Sequence, residues 1–175
     1  IQQVMIIGGG RIGYYLARQL QEAGMGVKIL ENDLGRCREL SELLPKADIQ
    51  HGDGTDEAFL LEAGLAQTDA FVSLTGMDEE NILMSMYVRK TQEKCKVITK
   101  LNRHSFKKVT ETLDLGSVFD PRTSTSNLIC SYVRAMQNQE GAAVAVHLIA
   151  DSKAEAIEFT ADENTRFCST PLKNI

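Results

Sequence analysis

The stretch that most constrains the fold is VMIIGGGRIGYYLARQL, residues 4–20. Its first four residues are apolar and predict a short buried strand, and apolar side chains at helical spacing follow the glycines. Gly8, Gly10 and Gly13 fit the pattern G-x-G-x-x-G. The first glycine of that pattern permits a tight turn, the second lets the backbone approach a pyrophosphate, and the third lets helix and strand pack closely. The stretch therefore predicts a phosphate-binding loop inside an α/β fold.

Strand-like and helix-like segments alternate from the start of the chain to about residue 120. We predict strands at 4–7, 27–30, 47–51, 70–74, 97–99 and 117–119, and helices at 11–23, 34–44, 57–63, 78–90 and 104–113. In the fourth helix, an apolar face is expected from Ile82, Leu83, Met86 and Tyr87. Such alternation predicts a doubly wound, parallel, six-stranded Rossmann-like sheet covered by helices on both faces.

A different pattern begins after Asp120-Pro121. We predict an amphipathic helix over 123–136, and its apolar stripe consists of Leu128, Ile129, Tyr132, Val133 and Met136. The stripe packs either on a second subunit or on its own domain. Alternating segments around Asp151-Ser152 then predict a β-hairpin, so residues 141–175 are expected to open a second, truncated domain of a longer chain.

Composition excludes several classes of protein. The chain has 175 residues and a net charge of -5, and it contains no Lys/Arg run, so we expect no nucleic-acid partner. Its apolar runs are far shorter than a membrane span. The four cysteines are widely separated without C-x-x-C spacing, which predicts reduced thiols and no metal site.

Glu31 ends the second predicted strand, where a carboxylate can accept hydrogen bonds from ribose hydroxyls. The same carboxylate would repel a 2′-phosphate, so the expected cofactor is NAD(H) or ATP/ADP and not NADP. Arg11 lies inside the glycine loop, where a guanidinium can bind a terminal phosphate in a bidentate manner. That contact would favour ATP or ADP, although Arg11 could equally be a solvated surface residue.

Other candidate ligand-binding residues follow later strands. Asp53 follows the third strand and could bind an adenine amino group, and Thr75-Gly76 follows the fourth and could contact ribose or phosphate. Lys100 ends the fifth strand and could pair with phosphate, with Arg103 close behind. Each residue alone is equally consistent with a turn or a surface charge. Their positions at successive strand ends support a shared cleft, because doubly wound sheets bind ligands there.

The histidines bear on whether the chain is an enzyme. His51, His104 and His147 are scattered, and neither a Ser-His-Asp set nor an H-E-x-x-H motif is present. A dehydrogenase needs a proton donor beside the carbonyl that it reduces. We therefore predict no catalytic residues. Two alternatives stay open: an NAD-dependent oxidoreductase fragment lacking its catalytic domain, and a dimerisation scaffold with an empty cleft.

Five stretches carry a resemblance to a known family: VMIIGGGRIGYYLARQL, VKILEND, GDGTDEAFLLEAG, DAFVSLTGMDEENILMSMYVRK and VFDPRTSTSNLICSYVRA. Together they resemble the RCK domain, also called KTN, of bacterial potassium channels and transporters. The resemblance implies an RCK N-terminal domain with its crossover helix at 1–137. Residues 141–175 resemble the start of the small α+β TrkA-C domain that follows in this family.

The resemblance also implies a function and a set of site residues. It implies a non-enzymatic regulatory subunit of a potassium-uptake transporter that couples nucleotide binding to gating. Phosphates would be held by Gly8, Gly9, Gly10, Arg11 and Ile12. Glu31 would hold the ribose, while Asp53, Thr75, Gly76 and Lys100 would line the rest of the cleft.

Partners and location follow from the same resemblance. Subunits would pair as a homodimer through the helix at 123–136 and assemble further into a ring of four chains. The ring would lie in the cytoplasm, peripheral to the inner face of the membrane, under the integral membrane potassium transporter TrkH.

Overall fold

The computed structural model describes residues 1–102, 112–137, 143–149 and 154–159. The chain divides into two compact units, Ile1–Pro121 and Arg122–Ile175. In the first unit the elements are β1 (Gln3–Ile7), α1 (Arg11–Glu22), β2 (Gly26–Glu31), α2 (Leu34–Leu43), β3 (Asp48–His51), α3 (Glu57–Glu62), a 3-10 turn (Leu65–Gln67), β4 (Ala70–Ser73), α4 (Asp78–Thr91), β5 (Lys96–Lys100) and β6 (Ser117–Phe119). The predicted strands and the first four predicted helices are confirmed. The helix predicted at 104–113 falls almost entirely outside the described residues.

The strands of the first unit form one parallel sheet in the order β3-β2-β1-β4-β5-β6. At the centre, Ile7 of β1 lies in register with Leu30 of β2 and Ser73 of β4. The chain first builds outward from β1 to β3 and then returns to the other side of β1. The order therefore reverses between β1 and β4, which is where such sheets open a ligand-binding crevice at their carboxyl edge.

Alternation along β1 separates the core into two layers. Met5 and Ile7 pack in one layer with Phe71 and residues of α3 and α4. Val4 and Ile6 pack in the other layer with residues of α1 and α2. Strands buried on both faces read as continuous apolar runs, which explains the unbroken VMII segment. The confirmed fold is thus a Rossmann-like α/β sheet covered on both sides.

The predicted apolar face of α4 is wrong in part. Leu83 and Met86 are 65% and 41% exposed, whereas the helix buries Asp78, Asn81, Met84, Ser85 and Val88. Polar residues can face the sheet here because they are hydrogen-bonded: the Thr99 hydroxyl donates to the Ser85 hydroxyl at 2.7 Å. A prediction that considers only apolar side chains therefore places the wrong face of such a helix against the sheet.

The second unit contains a helix and a hairpin. Helix α5 spans Pro121–Gln137, and the antiparallel strands β7 (Ala143–Ile149) and β8 (Ala154–Phe159) pair with Val146 opposite Ile157. Both elements agree with the sequence prediction. The assignment of 141–175 to a TrkA-C domain stays a prediction.

No described helix combines the length and apolar character that crossing a lipid bilayer requires.

Candidate functional site

A cleft of about 360 Å³ opens at the carboxyl edge of the sheet, at the reversal between β1 and β4. The predicted residues that line it are Gly8, Gly10, Glu31, Asp53, Thr75 and Gly76. Its volume lies in the range of small-molecule pockets. The structure therefore brings together the strand-end residues of β1, β2, β3 and β4 that the sequence predicted separately.

The glycines of the first loop differ in what they contribute. Gly8 has a φ of +100°, which disfavours a side chain, and its N–H donates to the Leu30 carbonyl at 2.9 Å. A Cβ at Gly13 would collide with the Gly8 carbonyl oxygen, so Gly13 permits the close packing of α1 on the loop. A Cβ at Gly10 would meet nothing within 4 Å. Gly10 is thus the glycine that leaves space on the cleft side of the loop.

Glu31 joins β2 to the glycine loop. One carboxylate oxygen accepts the Gly9 N–H at 2.7 Å, and the other accepts the Asp33 N–H at 2.9 Å. These bonds fix the carboxylate at the wall of the cleft. Each oxygen keeps a further lone pair with which it can accept a ligand hydroxyl.

Arg36 in α2 braces the same loop, a role that no sequence pattern indicated. Its Nε donates to the Gly9 carbonyl at 2.6 Å, and its guanidinium pairs with Glu39 at 2.6 Å. Gly9 is therefore buried and held at its N–H by Glu31 and at its carbonyl by Arg36. The loop is thus tied to β2 by Glu31 and to α2 by Arg36.

Asp53 forms a tight turn after β3. Its Oδ1 accepts the Thr55 N–H and the Thr55 hydroxyl, both at 2.8 Å. These bonds, the backbone one most strongly, hold the pKa of the Asp53 carboxyl below its ordinary value. Asp53 therefore presents a negative charge to the cleft at neutral pH.

Asn81 is a second residue that the sequence analysis did not select. It is fully buried, and its side-chain oxygen accepts the Thr75 N–H at 3.0 Å. Its amide group donates to the carbonyls of Thr75 at 3.2 Å and Lys100 at 3.0 Å. Asn81 thus clips the cleft loop after β4 to the end of β5. The only sequence signal was its place in the family-like segment L-T-x-x-D-E-x-N, residues 74–81.

Asp78 holds the chain after β5. Its carboxylate accepts the Asn102 backbone N–H and side-chain amide, each at 2.9 Å. The acidic residues Asp78, Glu79 and Glu80 all lie in the first turn of α4, where negative charge suits the helix dipole.

The remaining predicted site residues lie away from the cleft wall. Arg11 and Ile12 are exposed in the first turn of α1, beside the glycine loop. The Lys100 ammonium donates to the Leu74 carbonyl at 3.0 Å, and Lys100 is not among the residues that line the cleft. Burial lowers the pKa of that ammonium, an effect that Asp78 partly offsets. Arg103 lies outside the described residues.

Within the described ranges, no three His, Cys, Asp or Glu side chains are grouped as metal ligands. His51 lies at the rim, where its Nε2 is 3.1 Å from the Asn32 carbonyl oxygen. The chemistry that the cleft offers is hydrogen bonding through backbone groups, the hydroxyls of Thr55 and Thr75, the Asn32 amide and carboxylates.

The family model for the TrkA-N domain matches residues 4–121. The chain therefore belongs to the TrkA-N domain family, and the match ends where the first unit of the structure ends. This confirms the predicted resemblance to RCK/KTN domains.

Its relatives are potassium-uptake proteins by name. The chain is 34% identical over 165 residues to the "Trk system potassium uptake protein TrkA" of Halomonas elongata, which covers 94% of this chain and 35% of that protein. It is 32% identical to the TrkA homolog of Pyrococcus abyssi, covering 98% of this chain and 75% of the relative. A Methanosarcina mazei homolog is 30% identical, and the chain spans 41% of its length.

Solved structures support the same fold. The GsuK RCK domain aligns with a TM-score of 0.63 over 83% of this chain and 31% of that chain, at 18% identity. The Kef C-terminal domain of Shewanella denitrificans in its AMP-bound form aligns with a TM-score of 0.66 over 79% of this chain and 84% of that chain, at 16% identity. A GsuK channel bound to NAD aligns with a TM-score of 0.62 over 74% of this chain and 23% of that chain, at 17% identity. The likeness shows an RCK-type fold.

Proposed function

We propose that this chain is a non-enzymatic regulatory part of a potassium-uptake system that binds NAD(H) or an adenine nucleotide in the cleft. One observation carries the proposal: a preorganised glycine loop and the Glu31 carboxylate meet at the carboxyl edge of the sheet, in a chain of the TrkA-N family. The AMP and NAD bound to neighbours in fold support this class of ligand.

The glycine loop and the first turn of α1 form the phosphate end of the proposed site. Gly8 and Gly10 line the cleft, whereas Gly9 is buried with its N–H and carbonyl bonded to Glu31 and Arg36. The N-terminus of α1 adds its unpaired N–H groups and positive dipole end. Exposed Arg11 lies beside this end, where it can pair with a terminal phosphate of ATP or ADP. Exposed Ile12 follows Arg11 in the same turn, where its backbone N–H can contribute to phosphate binding.

The nucleoside end of the proposed site is acidic. Glu31 accepts the ribose hydroxyls, and its charge disfavours the 2′-phosphate of NADP. Asp53 accepts the adenine amino group, while Thr75 and Gly76 contact the ligand from the β4 side. Lys100 reaches a phosphate only if its ammonium leaves the Leu74 carbonyl, and Arg103 is proposed from sequence alone.

Regulation rather than catalysis suits this cleft. Its described wall carries carboxylates, two threonine hydroxyls, an asparagine amide and backbone groups, and it includes no histidine or lysine as a proton donor to a substrate carbonyl. No observation favours the alternative of an oxidoreductase fragment. The names of the curated relatives point to potassium uptake instead.

The proposed partners are a second copy of the chain and an integral membrane potassium transporter of the TrkH type. Helix α5 carries exposed Leu128, Ile129, Tyr132 and Val133, which supports pairing through this helix. The TrkA names of the relatives and the RCK domain of the GsuK channel support a potassium transporter or channel as the partner. The proposed location, in the cytoplasm and peripheral to the inner face of the membrane, rests on the family resemblance alone. A nucleotide shifts such an assembly only by binding one arrangement more tightly than the other.

Charge reversal at Glu31 tests the proposal. Glu31→Arg should weaken NADH binding about tenfold or more, because hydrogen bonds to a charged group contribute about 1.5–3 kcal/mol. Glu31→Gln keeps an acceptor for the Gly9 N–H and should lose the discrimination against NADPH. Titration calorimetry of the 175-residue chain measures both. Glu42→Arg, an equal charge change on the exposed face of α2, is the control and should leave affinity unchanged. Equal NADH affinity in Glu31→Arg and Glu42→Arg would contradict the proposed site.

A further inference from the structure

Glu80 lies in the cleft on the side away from Glu31. Glu80 belongs to the first turn of α4, which follows β4, and Glu31 ends β2. In the sheet, β1 lies between β2 and β4, and the glycine loop follows β1. The two carboxylates therefore flank the glycine loop, one on each side of the reversal point.

The three acidic residues at the start of α4 differ in their surroundings. Asp78 is buried and bonded to Asn102, and Glu79 is exposed. Glu80 is half-buried and lines the cleft, and within the described residues its carboxylate has no hydrogen bond or ion pair. Helix-dipole electrostatics accounts for an acidic residue at this position but does not require that it face the cleft.

The other two cleft carboxylates already accept hydrogen bonds from the protein. Glu31 accepts the N–H groups of Gly9 and Asp33, and Asp53 accepts two bonds from Thr55. Glu80 is therefore the cleft carboxylate, among the described residues, whose full acceptor capacity is available to a ligand.

Charge adds a second constraint. The acidic residues of the described cleft wall are Glu31, Asp53 and Glu80, and this wall includes no lysine or arginine. A phosphate directed toward α4 would meet the Glu80 carboxylate, and no lysine or arginine among the described lining residues would offset the repulsion. A hydroxyl or amide N–H in the same place would gain a charge-assisted hydrogen bond.

We propose that Glu80 is a specificity-determining residue that selects dinucleotides over nucleoside triphosphates. The inference rests on the proposed function and deepens it. With the pyrophosphate at the glycine loop, Glu31 binds the ribose of the adenosine half and Glu80 binds hydroxyls of the second ribose. A nucleoside triphosphate in the same orientation carries its terminal phosphates toward Glu80 and is repelled, an effect that opposes the attraction of exposed Arg11 for a terminal phosphate.

The test compares three ligands in two variants of the 175-residue chain. Glu80→Gln removes the charge, and Glu79→Gln removes an equal charge from the same helix turn at an exposed position. Titration calorimetry gives the Kd of NADH, ATP and AMP for each protein. Glu80→Gln should lower the ratio of Kd for ATP to Kd for NADH about tenfold, as expected for a charge-assisted contact. AMP, which lacks both the second ribose and the terminal phosphates, should bind as in the wild type.

Ionic strength gives an independent measure of the same effect. Discrimination against ATP by the wild type should weaken as salt rises, because screening reduces repulsion between partly exposed charges. In Glu80→Gln the discrimination should change little with salt.

The outcomes separate the two proposals. If the wild type binds nucleotides but Glu80→Gln changes the ATP-to-NADH ratio no more than Glu79→Gln does, the role of Glu80 is wrong and the proposed function stands. If the wild type binds none of the three ligands, both are overturned.

Discussion

At the scale of single residues, Gly13 of the glycine loop is needed for packing, whereas Gly10 leaves space for a ligand. At Gly13 the Gly8 carbonyl oxygen leaves no room for a Cβ, whereas the space beside Gly10 is open. Gly10 also has a φ of -63°, which alanine adopts readily. The same substitution at the two positions should therefore give opposite results.

We predict that Gly13→Ala lowers the free energy of unfolding by about 3 kcal/mol or more, because a methyl group against a fixed carbonyl forces the helix from the loop. Gly10→Ala should change it by less than about 1 kcal/mol. Urea denaturation measures both. Gly10→Ala should nevertheless weaken NADH binding, since its methyl group occupies the space where a ligand phosphate approaches the backbone. Equal stabilities for the two variants would contradict the packing assigned to Gly13.

Asn81 gives a second prediction at this scale. Asn81→Ala leaves the Thr75 N–H and the carbonyls of Thr75 and Lys100 without their partner. The expected loss in unfolding free energy is about 2–4 kcal/mol, since several buried polar groups become unsatisfied. Leu83→Ala on the exposed face of the same helix is the control, with an expected change within about 0.5 kcal/mol. A larger loss in Leu83→Ala would show that the helix buries the other face.

Sequence reasoning located the residues that follow strands directly, such as Glu31 and Asp53, because parallel strands place their carboxyl ends on one edge. It did not locate Arg36, Asn81 or Glu80. Each of these acts from a helix, and helical periodicity alone does not distinguish a polar residue that faces solvent from one that faces a loop. Lys100 shows the opposite case, because its backbone is at the predicted edge while its ammonium turns to the Leu74 carbonyl.

At the scale of elements, strand positions were predictable because the central strands β1, β2 and β4 are short, largely apolar runs between glycines or polar turns. The buried face of a helix was less predictable, as α4 shows, because part of its buried face is polar. Side-chain to backbone bonds at the strand entrances also depend on the tertiary fold. Asp69, just before β4, accepts the N–H groups of Gln2 at 2.6 Å and Gln3 at 3.0 Å and so joins β4 to the start of β1.

This link makes stability depend on pH. The two backbone bonds lower the pKa of the Asp69 carboxyl from its ordinary value of 3.8. A carboxyl with a lowered folded-state pKa contributes stability above its unfolded value, and the contribution is lost as pH falls through the folded value. Asp69→Asn should therefore lower the urea midpoint near neutral pH, and its difference from the wild type should shrink below pH 3.8. Glu42→Gln, at an exposed position, is the control. A difference independent of pH in Asp69→Asn would contradict the assignment.

At the scale of the whole molecule, the family match and the first structural unit share a boundary at residue 121. The helix that follows carries apolar side chains with exposures of 72% for Leu128 and 66% for Tyr132. The stripe predicts that α5 packs against an apolar surface, but the same pattern arises whether that surface belongs to a second subunit or to the same chain.

We predict that the chain forms a homodimer through α5 and that Leu128→Glu with Tyr132→Glu yields a monomer, because each carboxylate would be desolvated at the interface. Light scattering coupled to size-exclusion chromatography measures the mass. Leu83→Glu, a comparably exposed apolar position on α4, should leave the dimer intact. A monomeric wild type, or dissociation caused equally by Leu83→Glu, would contradict pairing through α5.

The most direct test of the central claim, that this TrkA-N chain binds a nucleotide in the cleft, is its melting temperature with NADH, NAD, NADP, ATP, ADP and AMP. Ligand at 100 times Kd adds about 2.7 kcal/mol to the folded state, which corresponds to a rise of roughly 5–10 °C for a domain of this size. We expect a rise with NADH or an adenine nucleotide and none with NADP. No rise with any of the six would contradict the account and leave the glycine loop as a structural turn.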